Sequence, residues 1–211
     1  MTLHEYLSGA SGSQTLWIVG PFYSDRWTYS EPVVFVDRGV FFRKQQEGVS
    51  VGDGDSAGQK LQHQLEPNKD LSDLAFVLEN IPDHFERLVL LGFLGERRDH
   101  ELMNLAEAHR CLKRSGRSRT LLFDDSVQAL SKGQWSLQIQ GTFSVFAFEP
   151  VEFSLQGDCR FPLQPPNAFR ALSSHGLSNQ GFGTVKIETS GPLFLFQNFE
   201  SSNSEFSSEK R

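Results

Sequence analysis

Short apolar runs recur through the first 125 residues, and each stops at a glycine, a proline or an acid. Leu16-Trp17-Ile18-Val19 ends at Gly20-Pro21, Val33-Val34-Phe35-Val36 at Asp37-Arg38-Gly39, and Val49-Ser50-Val51 at Gly52-Asp53-Gly54-Asp55-Ser56. Leu88-Val89-Leu90-Leu91 stops at Gly92, and Thr120-Leu121-Leu122-Phe123 at Asp124-Asp125. Runs without alternation predict strands covered on both faces, as in parallel sheets. Between them the spacing turns helical. Leu71, Leu74, Ala75 and Leu78 mark a helix within Leu71 to Asn80. Leu102, Leu105, Ala106, Cys111 and Leu112 mark one face of another, from about Asp99 to Lys113, with Ser115-Gly116 as its stop. Strands separated by helices predict a mostly parallel α/β domain over residues 1–126. Ligands of such sheets sit beyond the carboxyl ends of the strands, and Asp37, Asp53, Asp55, Gly92 and Asp124 all fall there.

From Val127 the pattern changes. Trp135 to Ile139, Thr142 to Phe148, Val151 to Leu155, Thr184 to Ile187 and Leu193 to Phe196 are short, aromatic or β-branched, and separated by Gly, Pro, Asn or Ser. Several alternate apolar with polar, which predicts an antiparallel β-sandwich or partial barrel over 127–199. The last residues, 200–211, are mostly Ser, Glu and Asn and are expected to be disordered.

Composition narrows the function classes. A formal charge of −6 argues against a nucleic-acid partner, which usually needs a basic face. Cys111 and Cys159 have neither a disulfide-framework pattern nor a metal-ligand spacing, and suit buried positions in a reducing cytoplasm. No apolar stretch approaches the ~20 residues that span a bilayer, and Met1-Thr2-Leu3-His4-Glu5 lacks the parts of a signal peptide. The expected location is therefore cytoplasmic.

The acidic turn Gly52-Asp53-Gly54-Asp55-Ser56 carries the first candidate chemistry. Two carboxylates two residues apart at a strand end can hold a hard divalent cation, and Mg2+ binds through one or two carboxylates plus substrate phosphates. Gly54 allows the tight turn between them. Taken alone, such a turn is more often simply solvated. In Lys69-Asp70-Leu71-Ser72-Asp73 the plainer reading makes Ser72 or Asp70 a helix cap. The functional reading adds Asp70 and Asp73 to the carboxylates and sets Lys69 against a phosphate. Gly92-Phe93-Leu94-Gly95-Glu96-Arg97-Arg98-Asp99-His100 again lies at a strand end and opens a helix. Free N–H groups, close backbone approach and guanidinium forks there suit phosphate. Asp99 is a good N-cap by type, and His100 and Asn104 share a helix face. The plainer alternative is a capped surface helix with a basic turn. In the second half, Gly176-Leu177-Ser178-Asn179-Gln180-Gly181 reads as a β-turn. Phe161-Pro162-Leu163 reads as core or as an aromatic platform, in a chain with 19 Phe.

In order along the chain, Val36-Asp37-Arg38-Gly39-Val40, Val51 to Ser56, Lys69 to Asp73, Gly95 to His100, Phe161-Pro162-Leu163 and Leu177-Ser178-Asn179 resemble thiamine pyrophosphokinase, over about Leu16 to Asn198. The resemblance implies a thiamine diphosphokinase: an α/β ATP-binding domain, a β-sandwich thiamine-binding domain, and a homodimer with shared sites. It places Mg2+ and ATP on Asp53, Asp55, Asp70, Ser72 and Asp73, with Asp53, Asp55 and Asp73 as metal ligands and Lys69 beside the phosphates. It places the phosphate cradle on Arg97, Asp99 and His100, with Asp37 and Asn104 also on the ATP side. Phe161, Ser178 and Asn179 are implied to face thiamine. Catalysis would rest on Asp53, Asp55, Asp70, Asp73 and Arg97, with Asp70 or Asp73 orienting or deprotonating the hydroxyl.

The chain departs from the family pattern at three places. Glu96 stands where a second glycine is usual, Asp158-Cys159-Arg160-Phe161 replaces a Gly-Leu-Lys-aromatic run, and the link from Ser56 to Lys69 is short. Two rival readings follow: a diphosphokinase for another alcohol such as a hydroxymethylpterin, and a homologue that binds thiamine or nucleotide without turnover.

Overall fold

A computed structural model of the chain describes residues 2–197 except 56, 57, 59, 69, 96 and 165–167. The tail expected to be disordered lies outside the described residues. The chain divides into two compact units at the Asp124–Asp125 bond.

The first unit opens with α1 (Leu3–Gly9), which no apolar periodicity announces. A capping box starts it: Glu5 N–H donates to Thr2 Oγ1, and Thr2 N–H donates to Glu5 Oε2 at 2.7 Å. Then come β1 (Thr15–Val19), β2 (Val33–Val36), β3 (Gly48–Gly52), β4 (His63–Gln64), α2 (Asp73–Glu79), β5 (Arg87–Leu91), α3 (Arg98–Arg114) and β6 (Thr120–Phe123). All pair in parallel, in the order β6-β5-β1-β2-β3-β4. The apolar runs explain this: every residue of β2 and β3 is buried. The chain builds outward from β1 to β4, then returns to the other side of β1 to lay down β5 and β6. The direction of winding therefore reverses between β1 and β5, the kind of crevice where open α/β sheets bind ligands.

Close backbone packing shapes that crevice. Gly20 N–H donates to Leu91 O at 2.7 Å, and Phe22 N–H donates to Gly92 O at 3.1 Å. A Cβ on Gly92 would stand 2.1 Å from Tyr23 N, and one on Gly39 would stand 2.1 Å from Val19 O. No side chain fits at either position. Asp124, buried at the end of β6, accepts from Gly92 N–H at 2.7 Å and so fixes the turn after β5.

The second unit contains β7 (Val127–Leu130), β8 (Gly133–Phe146), β9 (Val151–Cys159), β10 (Ala168–Phe169), β11 (Asn179–Thr189) and β12 (Leu193–Phe196). They pair antiparallel in the order β10-β9-β11-β8-β12-β7. The two segments expected at Trp135 to Ile139 and Thr142 to Phe148 form one strand, β8. Gly141, at φ 91°, carries the chain through instead of ending it. Just beyond, β8 changes partner: Gly133 to Phe143 pair with β11 and Ser144 to Phe146 with β12. Inward side chains of all six strands, from Leu130 to Leu195, meet in one core. Cys111 and Cys159 are both buried, each in its own unit. No helix among the described residues is long and apolar enough to cross a membrane.

Candidate active site

Three acid-bearing segments meet at the carboxyl ends of β2 and β3. Asp37 ends β2 with a left-handed backbone, φ 52°. Gly52 ends β3, and a Cβ there would lie 2.9 Å from Asp73 Oδ2 and 3.3 Å from Asp37 Cα. The missing side chain of Gly52 is thus what lets the first residue of α2 reach the end of β2. Asp53 and Asp55 follow at once, in a turn closed by Asp55 N–H donating to Asp53 Oδ1 at 3.2 Å.

Gln64, which no motif picked out, braces this turn. Its Nε2 donates to Asp53 O while its Oε1 accepts from Leu61 N–H at 3.2 Å. The only signal for it was a polar residue at the end of a short edge strand.

Burial pushes the Asp37 carboxyl up from its ordinary range, and the charges of Asp73, Asp55 and Asp53 add to the shift. A hydrogen bond from the Arg38 backbone partly offsets it. Asp37 Oδ1 is buried and has no hydrogen-bond partner among the described residues. The charges of Asp73, Asp55 and Asp53 therefore disfavour the ionised form of Asp37, and a cation bound among them would relieve that. Among the described residues no three His, Cys, Asp or Glu side chains stand close enough to form a ready coordination set. The buried Asp37 Oδ1 and the acids beside it are hard oxygen donors of the kind Mg2+ takes, one or two carboxylates plus phosphates.

The remaining expected residues fall in several places. Ser72 is the N-cap of α2, its Oγ accepting from Ala75 N–H at 3.1 Å, so the plainer reading holds for it. Asp70 is exposed ahead of that cap. Lys69, Ser56 and Glu96 lie outside the described residues. Asp99 is not the N-cap of α3: Arg97 holds that position, and Asp99 lies in the first turn, where an acid favours the helix dipole. There it meets Arg97 in a two-bond fork, Nη2 to Oδ2 at 2.6 Å and Nε to Oδ1 at 3.3 Å. The fork raises the arginine's pKa and lowers the acid's. Both side chains are exposed, so the pair is in contact with solvent and exchangeable for another anion. His100 is exposed on the same turn. Asn104 reaches back to donate to Phe93 O at 2.8 Å, tying α3 to the loop after β5.

In the second unit, Asn179 and Phe161 are joined: Asn179 Oδ1 accepts from Phe161 N–H at 3.1 Å, and Nδ2 donates to Phe161 O at 2.9 Å. Ser178, exposed at φ 59°, donates its N–H to Ser144 Oγ at 3.0 Å. The unusual Asp158 serves the sheet. Its carboxylate accepts from Thr184 N–H at 2.9 Å, beside an irregularity of β11, and occupies the space over Gly183. A Cβ on Gly183 would stand 2.3 Å from Asp158 Oδ2. Gly183→Ala is expected to cost about 1 kcal/mol, because only an exposed side chain must swing away and one hydrogen bond is lost. A urea midpoint that shifts for Gly183→Ala in the parent but not in an Asp158→Ala background would show this.

A shallow cavity of about 470 Å³ under α1, lined by Glu5, Tyr6, Glu31, Pro32 and Glu47, lies at the amino ends of β2 and β3. That is the end of the sheet away from the acids.

Solved structures share this architecture. A thiamine pyrophosphokinase from Bacillus subtilis superposes with a TM-score of 0.66 at 21% identity, covering 88% of this chain and 99% of that one. A thiamin pyrophosphokinase family protein from Enterococcus faecalis gives 0.65 at 20% identity, covering 90% and 100%. The chain has the thiamine pyrophosphokinase fold. The likeness extends to a thiamin pyrophosphokinase from Candida albicans, with a TM-score of 0.66 at 11% identity over 95% and 92% of the two chains. Neither a family model nor a curated protein sequence matches the chain. The likeness is therefore one of fold, as core packing that tolerates extensive substitution allows.

Proposed function

We propose that the protein is a thiamine diphosphokinase, transferring the pyrophosphoryl group of ATP to the thiamine hydroxyl to give thiamine diphosphate and AMP. The meeting of Asp37, Asp53, Asp55 and Asp73 at the strand ends, within this fold, carries the reading. Asp53, Asp55 and Asp73, with Asp37 beside them, would hold Mg2+. Bound there, the ion would supply positive charge to offset that of the phosphates.

The chain's own part is positioning and charge. Arg97 would exchange Asp99 for phosphate oxygens, His100 on the same helix turn would add a donor, and Lys69 is proposed as a further phosphate-facing cation. The thiamine oxygen bonds to the β-phosphorus as the bond from that phosphorus to the α–β bridging oxygen breaks. AMP leaves with the bridging oxygen, and the hydroxyl proton passes to the carboxylate of Asp70 or Asp73. Phe161 and Ser178 of the second unit are proposed to meet thiamine, in a cytoplasmic homodimer with shared sites. Because Asp158 is committed to the sheet, it gives no reason to replace thiamine by a pterin.

A second reading, binding without turnover, draws on the pairing of Arg97 with Asp99, which occupies the guanidinium expected to meet phosphate. Incubation with ATP, Mg2+ and thiamine separates the two. Equimolar AMP and thiamine diphosphate, absent without thiamine or with EDTA, is the expected result. Calorimetric thiamine binding without AMP would favour the second reading, and neither signal would remove both.

A further inference from the structure

Asn179 begins β11 and is only 7% exposed, whereas the Phe161 ring opposite is 55% exposed. Strand pairing between β9 and β11 runs out at this point. Arg160 N–H still donates to Gln180 O at 2.8 Å, but Phe161 has left the ladder. The Asn179 side chain then replaces the missing strand partner. Its amide carbonyl accepts from Phe161 N–H, and its amide nitrogen donates to Phe161 O, the two-way exchange of a hydrogen-bonded antiparallel pair. The same Oδ1 also accepts from Gln180 N–H at 2.8 Å. Both acceptor sites of that oxygen and one of the two amide protons are thereby used.

We infer that Asn179 is a positioning residue: it holds the Phe161 main chain so that the ring is presented to the acceptor, and does not itself touch the acceptor. The Arg160 guanidinium stands over the ring, 5.3 Å from its centroid, so one face is covered and the other is offered. A planar aromatic heterocycle is the ligand chemistry that such a face takes. The role as acceptor positioning rests on the diphosphokinase reading above. The clamp on Phe161 stands on geometry alone.

The experiment is a double-mutant cycle on the full chain with Asn179→Ala and Phe161→Ala, reading KM for thiamine, KM for ATP and kcat from AMP release. Asn179→Ala is expected to raise the thiamine KM about tenfold and leave the ATP KM unchanged. In the Phe161→Ala background it should change the thiamine KM less than twofold. A full tenfold effect in that background would mean direct contact and overturn the inference, as would an equal rise in both KM values.

Amide hydrogen exchange by NMR supplies a readout that needs no substrate. Phe161 N–H should exchange at least tenfold faster in Asn179→Ala, and unchanged protection would sink the clamp. If Asn179→Ala does not fold, Asn179→Asp keeps the shape and the oxygen that accepts from Phe161 N–H, and replaces the donor to Phe161 O with a second, charged oxygen. It should raise the thiamine KM in the same direction, and an unchanged KM would overturn the role. Wild-type protein that neither binds nor uses thiamine would end the acceptor reading, while the exchange result would still decide whether Asn179 holds Phe161.

Discussion

Gly92→Ala should abolish stable folding, or lower the urea midpoint so far that native protein is scarce at 37 °C. Gly92 has φ 80°, a left-handed conformation that costs an L side chain about 1–2 kcal/mol by itself. The larger cost is contact. The new methyl would fall 2.1 Å from Tyr23 N and 2.6 Å from Phe22 C, and backbone atoms cannot rotate aside. Relief requires pulling the loop after β1 from the end of β5, which would also strain the bonds from Phe22 N–H to Gly92 O and from Gly92 N–H to Asp124. The sum is roughly 4 kcal/mol or more, a large part of the ~5–15 kcal/mol that holds a domain together. Gly95→Ala is the control: its φ is 93° but nothing lies within 4 Å of the added Cβ. It should cost only the conformational part, about 1–2 kcal/mol. Equal midpoints for the two variants would refute the contact argument.

Asp37→Asn should make the metal-free protein more stable while it removes Mg2+-dependent turnover. Asparagine suits the backbone, since it tolerates positive φ better than most residues, and its carbonyl can still accept the bond from Arg38. The charge that burial and Asp73, Asp55 and Asp53 oppose is gone. For the wild type, the folded carboxyl holds its proton to higher pH than the unfolded one. Asp37's stabilising contribution is thus complete below the ordinary carboxylate range and is lost as pH rises through its raised folded value. At pH 7 the variant should therefore be the more stable by about 1 kcal/mol, discounted for the solvent that reaches a half-buried side chain. The advantage should vanish in acid. AMP release should fall by about tenfold to a hundredfold at limiting Mg2+, the usual scale for removing a group that supports a metal site. Asp55→Asn should lose at least as much while the protein stays folded. Thermal melts across pH in EDTA, beside Mg2+ titrations of activity, test both halves. A less stable Asp37→Asn protein with normal turnover would contradict the whole account of the acids.

Local chemistry already disclosed five strands and two helices of the first unit, but not α1 or the two-residue β4. A short apolar run with no polar alternation suits a strand covered on both faces, so β1, β2, β5 and β6 were readable one at a time, and β3 from Val49-Ser50-Val51 running into its acidic turn. The acids at their ends were readable too, because turn residues announce where a strand stops. Helix α3 extends from Arg98 to Arg114, close to its expected span, since 3.6-residue periodicity is a local property. The short helix α1 was not legible: only Leu3 and Leu7 are buried in it, and its start rests on a capping pair.

Partner choice was another matter, because each side chain had several chemically reasonable partners. Ser72 caps α2, and Arg97 pairs with Asp99. Asn104 bonds the loop after β5, and Asn179 spends its amide on a residue 18 positions earlier. Nor does any local pattern say that Gly141 bends a strand instead of ending it.

Amino-acid order by itself therefore determined the main strands and the two longer-patterned helices of the first unit and which residues lie at the strands' carboxyl ends, since burial pattern and turn chemistry act over a few neighbours. Only the tertiary structure decided that β5 returns beside β1, that Gly52 leaves room for Asp73 next to Asp37, and that Asn179 completes the backbone bonding of Phe161. Those outcomes depend on contacts between segments far apart in the chain, where excluded volume and the need to satisfy every buried polar group select one arrangement from many.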